Sequence, residues 1–547
     1  MKKVLFVLFI LFSLISSKTN AQTQEWIWAH SLTGISTEKS HSIVQDKSKN
    51  LLITGAFASS NLSFGTNTIT SQGSYDVFVA KYDTLGNNIW AFSIGGSGED
   101  EAWDIITDNL NNIYVTGWFK SSDFYIGTDT VLHNTGQGTM FLVKYDTDGN
   151  FLWAKNSIGN GREWGRALGV DDQNNVYLGG NFIGGNITIS DSTFINQGSY
   201  DMYIAKFKFN GEMQWAKHTG GSETELLRNL AVNPYGDVYI VGDFSSNTII
   251  FDTISLVNSS SYRDNFVVRY NSGGNVVWVK QITGSGEELG SFIAVDWKEN
   301  IYVTGQFGSS TCNFDSLQLT NSSSSKEVYL VKYDYYGEVK WVNAIYGEND
   351  DIAYSISSDM SNGLYLCGWF NSSDFGVGSD VLSSVGGYDI FVSKFDFSGD
   401  YYWTKQTGGT NDDYAECIVS DENGNLYVTG KFNSNTVDFD DITLNNSGSD
   451  DVFISKLIFN DETYSNHINT NDIKIYPNPV CNQLVIENKD LLIEGVELFN
   501  ITGKTINKFS FTDTQIRIDF SKYEKGIYLI KIKLTDGSYV NYKIMKE

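Results

Sequence analysis

The chain has 547 residues, of which 41 % are hydrophobic, 19 % are charged and 14 % are aromatic. This composition supports a large hydrophobic core and excludes an intrinsically disordered chain. Lysine and arginine number 38 against 65 aspartate and glutamate residues, so the net charge is −27. Such an excess of negative charge repels phosphate backbones and anionic lipid, which makes nucleic acids and membrane surfaces poor partners.

The first 21 residues have the composition of a secretory signal peptide. Lys2 and Lys3 form a short basic head, residues 4–15 are almost entirely apolar, and small and polar residues follow up to Ala21. The apolar run is too short to span a membrane, and no later segment reaches about 18 consecutive apolar residues. The sequence therefore predicts a secreted chain that has no membrane span.

Tryptophan recurs every 62 or 63 residues through most of the chain, at Trp28, Trp90, Trp153, Trp215, Trp278, Trp341 and Trp403. Each tryptophan lies in a similar phrase, such as FLVKYDTDGNFLWAKNSIGNGREWGRALGVDDQNNVYLGGNF. Each repeat holds four runs of alternating apolar residues separated by Asn, Gly and Asp, the pattern of short strands joined by turns. This pattern predicts an all-β fold over residues 22–460, a seven-bladed β-propeller with four strands in each blade.

In the second repeat the four strands are predicted at residues 104–107, 113–119, 140–145 and 151–155. The array begins with a fourth strand around Trp26 and stops after a third strand near Phe459, so we expect the N-terminal strand to complete and close the last blade. Phrases such as DVFVAKYDTLGNNIW, GGSGEDEAWDIITD and NNIYVTG resemble the seven-bladed β-propeller (SBBP) repeat family across about residues 25–459. That family is defined by its fold, and the resemblance implies no reaction.

The pattern changes after residue 460. A polar linker at 461–471 precedes the segment 472–547, whose alternating strands predict a small Ig-like β-sandwich. The segment carries Tyr476-Pro477-Asn478-Pro479, a turn that includes Gly503, the phrase beginning at Gly526, and a lysine-containing tail. With these residues it closely resembles the C-terminal sorting domain of the type IX (Por) secretion system of the Bacteroidota. The resemblance implies Sec export, passage across the outer membrane through the type IX machinery, and a secreted or cell-surface location; an ordinary carbohydrate-binding sandwich is the alternative.

One position of the repeat is acidic in all seven copies, shortly before the first predicted strand: Glu38, Asp100, Glu163, Glu225, Glu288, Asp351 and Asp413. A ring of carboxylates could bind Ca²⁺, which takes six to eight oxygen ligands, and this is the one cofactor that the sequence suggests. The favoured interpretation is structural, because a residue present in every blade serves the blade. We expect each carboxylate to accept backbone N–H groups within a tight loop.

Three positions further on, the repeats differ from one another, with His41, Trp103, Arg166, Arg228, Ser291, Tyr354 and Glu416. These residues are expected just before the innermost strand, on the face where ligands commonly enter propellers. A uniform frame that carries aromatic, cationic and acidic side chains at one variable position predicts a recognition surface. Arg162 is added to this set because the chain has only six arginines. The alternative is a solvent-exposed position without a function.

No catalytic motif is present: the chain has no Gly-x-Ser-x-Gly, no His-Glu-x-x-His, no phosphate loop and no sialidase box. The repeat tryptophans are expected to pack between blades, and Cys367 and Cys417 to be small buried hydrophobic residues. We therefore expect no enzyme but a binding or adhesion module for a protein or a glycan. The alternatives are a glycoside-cleaving enzyme that uses two carboxylates of the ring, and a structural surface module without a soluble ligand.

Overall fold

The computed structural model describes residues 23–127, 130–321, 323, 325–460, 473–488, 491–500, 504–535 and 539–546. The predicted signal peptide at 1–21, the linker at 461–471 and Gly503 lie outside the described residues. The described residues form strands and turns, and none of them belongs to a helix that could cross a membrane. They divide into two compact units, a large one at Gln24–Phe459 and a small one formed by the C-terminal strands. The predicted all-β fold is confirmed.

The large unit contains seven antiparallel sheets, here called blades 1 to 7, each with a first, second, third and fourth strand in the order of the sheet. A short two-stranded hairpin connects the second and third strands of every blade. In chain order the strands are β1 (Thr23–Leu32), which belongs to blade 7; β2 (Glu38–Gln45), β3 (Leu51–Phe57), β4 (Asn61–Phe64), β5 (Asn67–Thr70), β6 (Asp76–Tyr82) and β7 (Asn88–Ile94) in blade 1; β8 (Asp100–Thr107), β9 (Ile113–Phe119), β10 (Asp123–Ile126), β11 (Thr130–His133), β12 (Thr139–Tyr145) and β13 (Phe151–Asn156) in blade 2; β14 (Ile158–Gly159), β15 (Arg162–Val170), β16 (Val176–Ile183), β17 (Asn186–Ile189), β18 (Ser192–Ile195), β19 (Tyr200–Phe207) and β20 (Met213–Thr219) in blade 3; β21 (Glu225–Val232), β22 (Val238–Phe244), β23 (Thr248–Phe251), β24 (Ile254–Val257), β25 (Asp264–Tyr270) and β26 (Val276–Thr283) in blade 4; β27 (Glu288–Val295), β28 (Ile301–Phe307), β29 (Thr311–Phe314), β30 (Leu317–Thr320), β31 (Glu327–Tyr333) and β32 (Val339–Ile345) in blade 5; β33 (Ile352–Ser358), β34 (Gly363–Phe370), β35 (Phe375–Val377), β36 (Asp380–Leu382), β37 (Asp389–Asp396) and β38 (Tyr401–Thr407) in blade 6; and β39 (Asp413–Ser420), β40 (Leu426–Phe432), β41 (Thr436–Phe439), β42 (Ile442–Asn445) and β43 (Asp451–Asn460) in blade 7.

The seven blades form a closed ring around the seven first strands. Each first strand contacts the first strand of the next blade, and β39 of blade 7 contacts β2 of blade 1. Second strands such as β3, β9 and β22 are buried along their whole length. They are apolar on both faces because each blade is covered by a neighbour on either side.

The N-terminal strand closes the ring, as the repeats predict. The sheet of blade 7 has the order β1-β43-β40-β39, so β1 supplies the fourth strand that the end of the array lacks. Trp26, Trp28 and Leu32 of this strand are buried in the cores of blade 7 and its neighbours. The arrangement covers a strand edge that would otherwise face solvent.

Two details of the strands differ from the prediction. The strand predicted at 104–107 begins at Asp100, because pairing continues from Asp100↔Phe119 through a one-residue bulge to Thr107↔Ile113. The four-strand pattern predicted no strand between the second and third strands of a blade. In the structure the connections between these strands hold the short hairpins, such as β10 paired with β11. Their four-residue strands are shorter than the windows in which an alternating pattern is visible.

The repeat tryptophans join each blade to the next, as predicted. The indole N–H of Trp153 in blade 2 donates a hydrogen bond to the carbonyl of Phe209 in blade 3, at 3.2 Å. The same bond is made by Trp28, Trp215, Trp278 and Trp341. Gly211, whose φ is +82°, lies under the Trp153 ring, and a Cβ there would come within 3.1 Å of it. The glycine of each such turn therefore provides both the backbone conformation and the space for the indole.

All four cysteines lie among the described residues and none is in a disulfide. Cys312, Cys367 and Cys417 are buried, whereas Cys481 is exposed. The prediction of small buried hydrophobic residues is therefore confirmed for Cys367 and Cys417.

The small unit has seven strands: β44 (Ile473–Tyr476), β45 (Gln483–Asn488), β46 (Ile493–Asn500), β47 (Thr505–Asp513), β48 (Gln515–Asp519), β49 (Gly526–Leu534) and β50 (Tyr539–Lys546). They form a three-stranded sheet, β44-β45-β48, and a four-stranded sheet, β47-β46-β49-β50. One hydrophobic core contains residues of both sheets, for example Ile486 and Val496. Alternating apolar residues point to this shared core, which explains the strand pattern of the segment.

Candidate functional site

A β-bulge interrupts the first strand of every blade at the same place. In blade 2, Ala102 pairs with Gly117 and Asp104 with Thr116, so Trp103 has no partner in the ladder. The seven bulged residues are His41, Trp103, Arg166, Arg228, Ser291, Tyr354 and Glu416. This is the variable position of the repeat, and it lies inside the first strand instead of before it. A bulge turns a side chain out of the normal alternation of a strand, and bulges are over-represented beside functional sites.

The bulged residues surround a cavity of about 180 Å³ at the centre of the ring. First strands of all seven blades line this axial cavity, and six of the seven bulged residues contribute to it: His41, Trp103, Arg166, Arg228, Ser291 and Tyr354. The seventh, Glu416, is buried and binds His41. The variable residues that lie far apart in the sequence are therefore brought together in one place.

His41 bridges two carboxylates beside this cavity. Its Nδ1 lies 2.8 Å from Oε2 of Glu416, and its Nε2 lies 2.9 Å from Oε1 of Glu101. Burial alone would lower the pKa of His41, but the two carboxylates outweigh burial and raise it to about 9. Burial alone would raise the pKa of Glu101, but the hydrogen bond and the charge of His41 lower it to about 2. At neutral pH the group is an imidazolium held between two carboxylates.

Trp103 is stacked between two cationic side chains. The imidazole of His41 lies parallel to the indole, with ring centroids 4.5 Å apart and an interplanar angle of 19°. The guanidinium carbon of Arg166 lies 3.9 Å from the indole centroid. Cations are attracted to the negative face of an aromatic ring, and most strongly when they are desolvated. The stack His41–Trp103–Arg166 therefore holds Arg166 in place at the wall of the cavity.

Arg228 is held by a carboxylate instead of a ring. Its Nε lies 2.5 Å from Oδ1 of Asp243, and its NH2 nitrogen lies 3.3 Å from Oδ2. Arg263 contacts the same carboxylate at 3.2 Å. Asp243 thus binds two guanidinium groups, and the net charge of Arg228, Arg263 and Asp243 together is +1.

Asp104 is the acidic side chain that lines the cavity. Its carboxylate accepts hydrogen bonds from the Ser42 hydroxyl at 2.7 Å and from the Leu168 amide at 2.7 Å. Burial raises the pKa of Asp104 to about 6, although these hydrogen bonds oppose the shift. Asn229, Ser291 and Gln306 add uncharged polar groups to the lining.

The seven carboxylates at the strand starts are buried within their own blades and do not line the axial cavity. Asp100 accepts the amides of Gly96, Lys120 and Ser121 and the hydroxyl of Ser121. Asp351 and Asp413 accept equivalent amides and a serine hydroxyl, and Glu38 and Glu288 accept a serine hydroxyl. These bonds support the structural interpretation, in which the carboxylate fixes the loop of its blade. In the part of the chain that the structure describes, no three His, Cys, Asp or Glu side chains gather where they could hold a metal ion.

The structure separates Arg162 from the other predicted residues. It is exposed at the start of β15 and is not part of the cavity lining. Conversely, Glu101, Asp104 and Asp243 belong to the site, and the prediction omitted them. Glu101 and Asp104 lie two residues before and one residue after the bulged residue Trp103. Acidic residues at these positions beside the variable one are the sequence feature that could have identified them.

In the small unit, the residues of the predicted sorting motif lie against the final strand. The side-chain oxygen of Asn478 accepts the Met545 amide at 2.9 Å, and the Val480 amide donates to the Met545 carbonyl at 2.7 Å. Gly526 begins β49 and pairs with Lys546. The hydroxyl of Tyr476 donates to Glu487 at 2.9 Å. The bonds of Asn478 and Val480 hold the last residues of the described chain in the sheet.

Two segments of the chain match described protein families. Residues 474–547 match the secretion system C-terminal sorting domain, and residues 403–435 match the beta-propeller repeat. Both resemblances predicted from the sequence are confirmed. The chain thus contains one segment that matches the beta-propeller repeat and one that matches the secretion system C-terminal sorting domain, which indicates export to the cell surface or the exterior.

Two curated relatives match at low identity. An uncharacterized WD repeat-containing protein of Acanthamoeba polyphaga mimivirus is 21 % identical over 81 % of this chain and 38 % of that protein. The regulatory protein FlaEY of Caulobacter vibrioides is 22 % identical over 55 % of this chain and 33 % of that protein. The chain thus spans only about a third of the length of these relatives.

Solved structures match across long stretches with low scores. The WD40 domain of Neurospora crassa Pan2 gives a TM-score of 0.38 at 8 % identity, over 80 % of this chain and 96 % of that one. PorZ of Porphyromonas gingivalis gives a TM-score of 0.17 at 10 % identity, over 95 % of this chain and 100 % of that one. At such low scores these likenesses carry no functional information.

Proposed function

We propose that the large unit is a non-catalytic binding module of the cell surface, which recognises a protein or a glycan at the axial cavity. The observation that carries the proposal is the set of seven β-bulges. Each blade carries one bulged residue, six of the seven bulged side chains line the same cavity, and their residue types vary among the blades. Residues that only support the blade are the same in every repeat, as the carboxylates and tryptophans are, so the variation at the bulges favours recognition.

The composition of the cavity also fits recognition. It combines two guanidinium groups, a tryptophan and a tyrosine with several uncharged polar side chains. Aromatic and arginine side chains are the residue types that contribute most to binding at interfaces. The ion pairs and stacks between them hold the lining in one conformation, which lowers the entropic cost of binding.

The glycosidase alternative requires two carboxylates of the ring within reach of one sugar. None of the seven lies in the cavity lining, and the bonds to their own loops compete with a catalytic role. Glu101 and Glu416 are closer to the cavity, but both are engaged by His41. These observations favour binding over bond cleavage.

A glycan array tests the proposal with the full chain and a variant that carries Trp103→Ala, Arg166→Ala, Arg228→Ala and Tyr354→Ala together. We expect binding by the native chain and at least about a hundredfold loss in the variant, because the main binding groups of the cavity are removed. A matched variant with Trp297→Ala and Tyr336→Ala, two exposed turn residues outside the lining, serves as control.

A blank array moves the test to protein partners, which chemical cross-linking on the native cell detects. Specific binding or cross-linking that the four-site variant retains in full contradicts the proposal. So does turnover of a glycan by the native chain.

A further inference from the structure

Arg166 differs from Arg228, Arg263 and Arg269 in the groups that its guanidinium contacts. Arg228, Arg263 and Arg269 each bind a carboxylate, either Asp243 or Asp237. Within the described part of the chain, Arg166 has no ion pair; it contacts the Trp103 ring and the hydroxyl of Tyr354. The charges of Glu101 and Asp104 act on it from a longer distance. Largely buried arginines normally have an anionic partner, because removing the charge from water is costly. Among the described residues no carboxylate is bound directly to Arg166, so its guanidinium can bind the anionic group of a ligand.

The cavity places a second guanidinium near the first. Arg228 lines the same cavity as Arg166. Burial and the charge of Arg228 both act to lower the pKa of Arg166, as expected for two cations in one cavity. The Tyr354 hydroxyl engages Arg166 through one hydrogen bond, and because a guanidinium has five N–H donors along its edge, others remain for a ligand. An edge of this kind matches a carboxylate or sulfate through two parallel hydrogen bonds.

The other charges around the cavity leave a positive balance. His41 and Lys39 neutralise Glu101 and Glu416, since Lys39 lies 3.4 Å from Glu101 and His41 contacts both carboxylates. Asp243 neutralises one of its two arginines. Asp104, which accepts hydrogen bonds from Ser42 and Leu168, offsets the charge of Arg166, so the balance that remains is the single positive charge of the two arginines at Asp243. In a chain of net charge −27, this cavity is thus a local site of positive charge.

We propose that the axial cavity binds an oxyanionic group of its ligand, a carboxylate or a sulfate, between Arg166 and Arg228. The inference rests on the proposed function, because it names the ligand chemistry of that same site. The volume of about 180 Å³ equals the space of roughly six waters, enough for the anionic group and a small part of the molecule that carries it. Asn229, Ser291 and Gln306 are available for neighbouring hydroxyl groups.

The test measures binding of sodium glucuronate and sodium sulfate to the full chain by calorimetry and by thermal shift. Glucose and sodium chloride at matched ionic strength are the reference solutes. We expect both oxyanions, or one of them, to bind and to raise the melting temperature, and the references to have no such effect. Binding of glucuronate alone identifies a carboxylate ligand, and binding of sulfate alone identifies a sulfated one.

Arg166→Gln is expected to weaken the oxyanion affinity at least about tenfold, because hydrogen bonds to a charged group are lost. Arg162→Gln removes an exposed arginine outside the cavity and is expected to leave the affinity unchanged. Arg166→Lys retains the charge without the planar edge, and it keeps the test valid if the glutamine variant does not fold; its affinity should also fall.

The proposal is overturned if neither oxyanion binds better than chloride, or if Arg162→Gln and Arg166→Gln weaken binding equally. These results are distinguishable from failure of the proposed function. Suppose that the native chain binds a macromolecular ligand, that the four-site variant does not, and that neither oxyanion binds. This result contradicts the anion site but agrees with the proposed binding module.

Discussion

At the scale of residues, one position of the repeat separates recognition from architecture. The sequence predicted which residues vary, from His41 to Glu416, because seven aligned copies provide an internal comparison. It could not predict that these residues are β-bulges, because the bulge shifts the alternation by one residue within a strand of only eight residues, too few for the shift to be visible. Nor could it predict the stack of His41, Trp103 and Arg166, which depends on how three neighbouring blades curve around the axis.

The bridge made by His41 predicts a pH-dependent contribution to stability. Its pKa is raised to about 9 in the folded chain from the ordinary value of 6.5, so the folded state binds the proton more tightly. The stabilisation is fully present below pH 6.5 and is lost as the pH rises through about 9. His41→Ala leaves two buried carboxylates without their shared cation and is expected to lower the free energy of unfolding by about 3–5 kcal/mol near pH 6.

Urea unfolding followed by tryptophan fluorescence at several pH values checks this prediction. The difference between the native chain and His41→Ala should shrink as the pH approaches 10. His133→Ala is the matched control, because the side chain of His133 is 73 % exposed, and its effect should stay within about 0.5 kcal/mol. A loss for His41→Ala that does not depend on pH contradicts the charge assignment.

At the scale of elements, the tryptophan period and the four apolar runs of each repeat were enough to predict the strands of each blade. They also predicted that the N-terminal strand, β1, completes blade 7. The hairpin between the second and third strands was not predicted, because strands as short as β10 and β11 carry too few residues for a visible alternation. The early start of the first strands was missed for a related reason. The carboxylate that opens each of them is polar although it is buried, so its residue type suggests a loop.

Because β1 closes the ring, a core residue near the N-terminus is expected to contribute as much to the free energy of unfolding as one in the middle of the chain. Leu32 is fully buried in the core that joins blades 7 and 1. Leu32→Ala is expected to lower the free energy of unfolding by about 2–5 kcal/mol, because it removes buried methyl groups and leaves a cavity. Leu85→Ala, at a position that is 72 % exposed, is the control and should have little effect. Equal unfolding midpoints of the two variants in urea would argue against closure by β1.

At the scale of the whole molecule, the buried carboxylates predict a protein that is more stable in mild acid than in alkali. Burial raises the pKa of Glu38, Glu163 and Glu288 to about 7, from 4.5 in the unfolded chain. Between these values the folded state binds more protons than the unfolded state, so stability falls as the pH rises from 4.5 through 7. The melting temperature is therefore expected to be higher at pH 5 than at pH 8, as calorimetry can measure.

Glu163→Gln tests the origin of that dependence. The neutral amide mimics the protonated acid, so we expect little change in melting temperature at pH 5 and an increase at pH 8. Glu223→Gln replaces an exposed glutamate two positions before Glu225 and should leave both values unchanged. If Glu163→Gln lowers the melting temperature at pH 8, the ionised carboxylate stabilises the folded chain, burial does not raise its pKa, and the prediction is wrong.

The sorting domain predicts where the chain is found. Deletion of residues 472–547 removes the segment that matches the secretion system C-terminal sorting domain. We expect the truncated chain to remain inside the outer membrane, whereas the full chain reaches the surface or the medium. Immunoblots of cell fractions, with protease added to intact cells, distinguish these locations. Surface exposure of the truncated chain would show that export does not require this domain.

Hydrogen exchange of the full chain, followed by mass spectrometry with and without the ligand found on the array or the cell, locates the binding site. If the axial cavity binds the ligand, peptides around Trp103, Arg166 and Tyr354, which span bulged residues, exchange more slowly when it is bound. Peptides around the exposed turn residues Trp297 and Tyr336 should not change. Protection confined to those turns, with the bulged segments unaffected, would contradict the assignment of the axial cavity as the binding site.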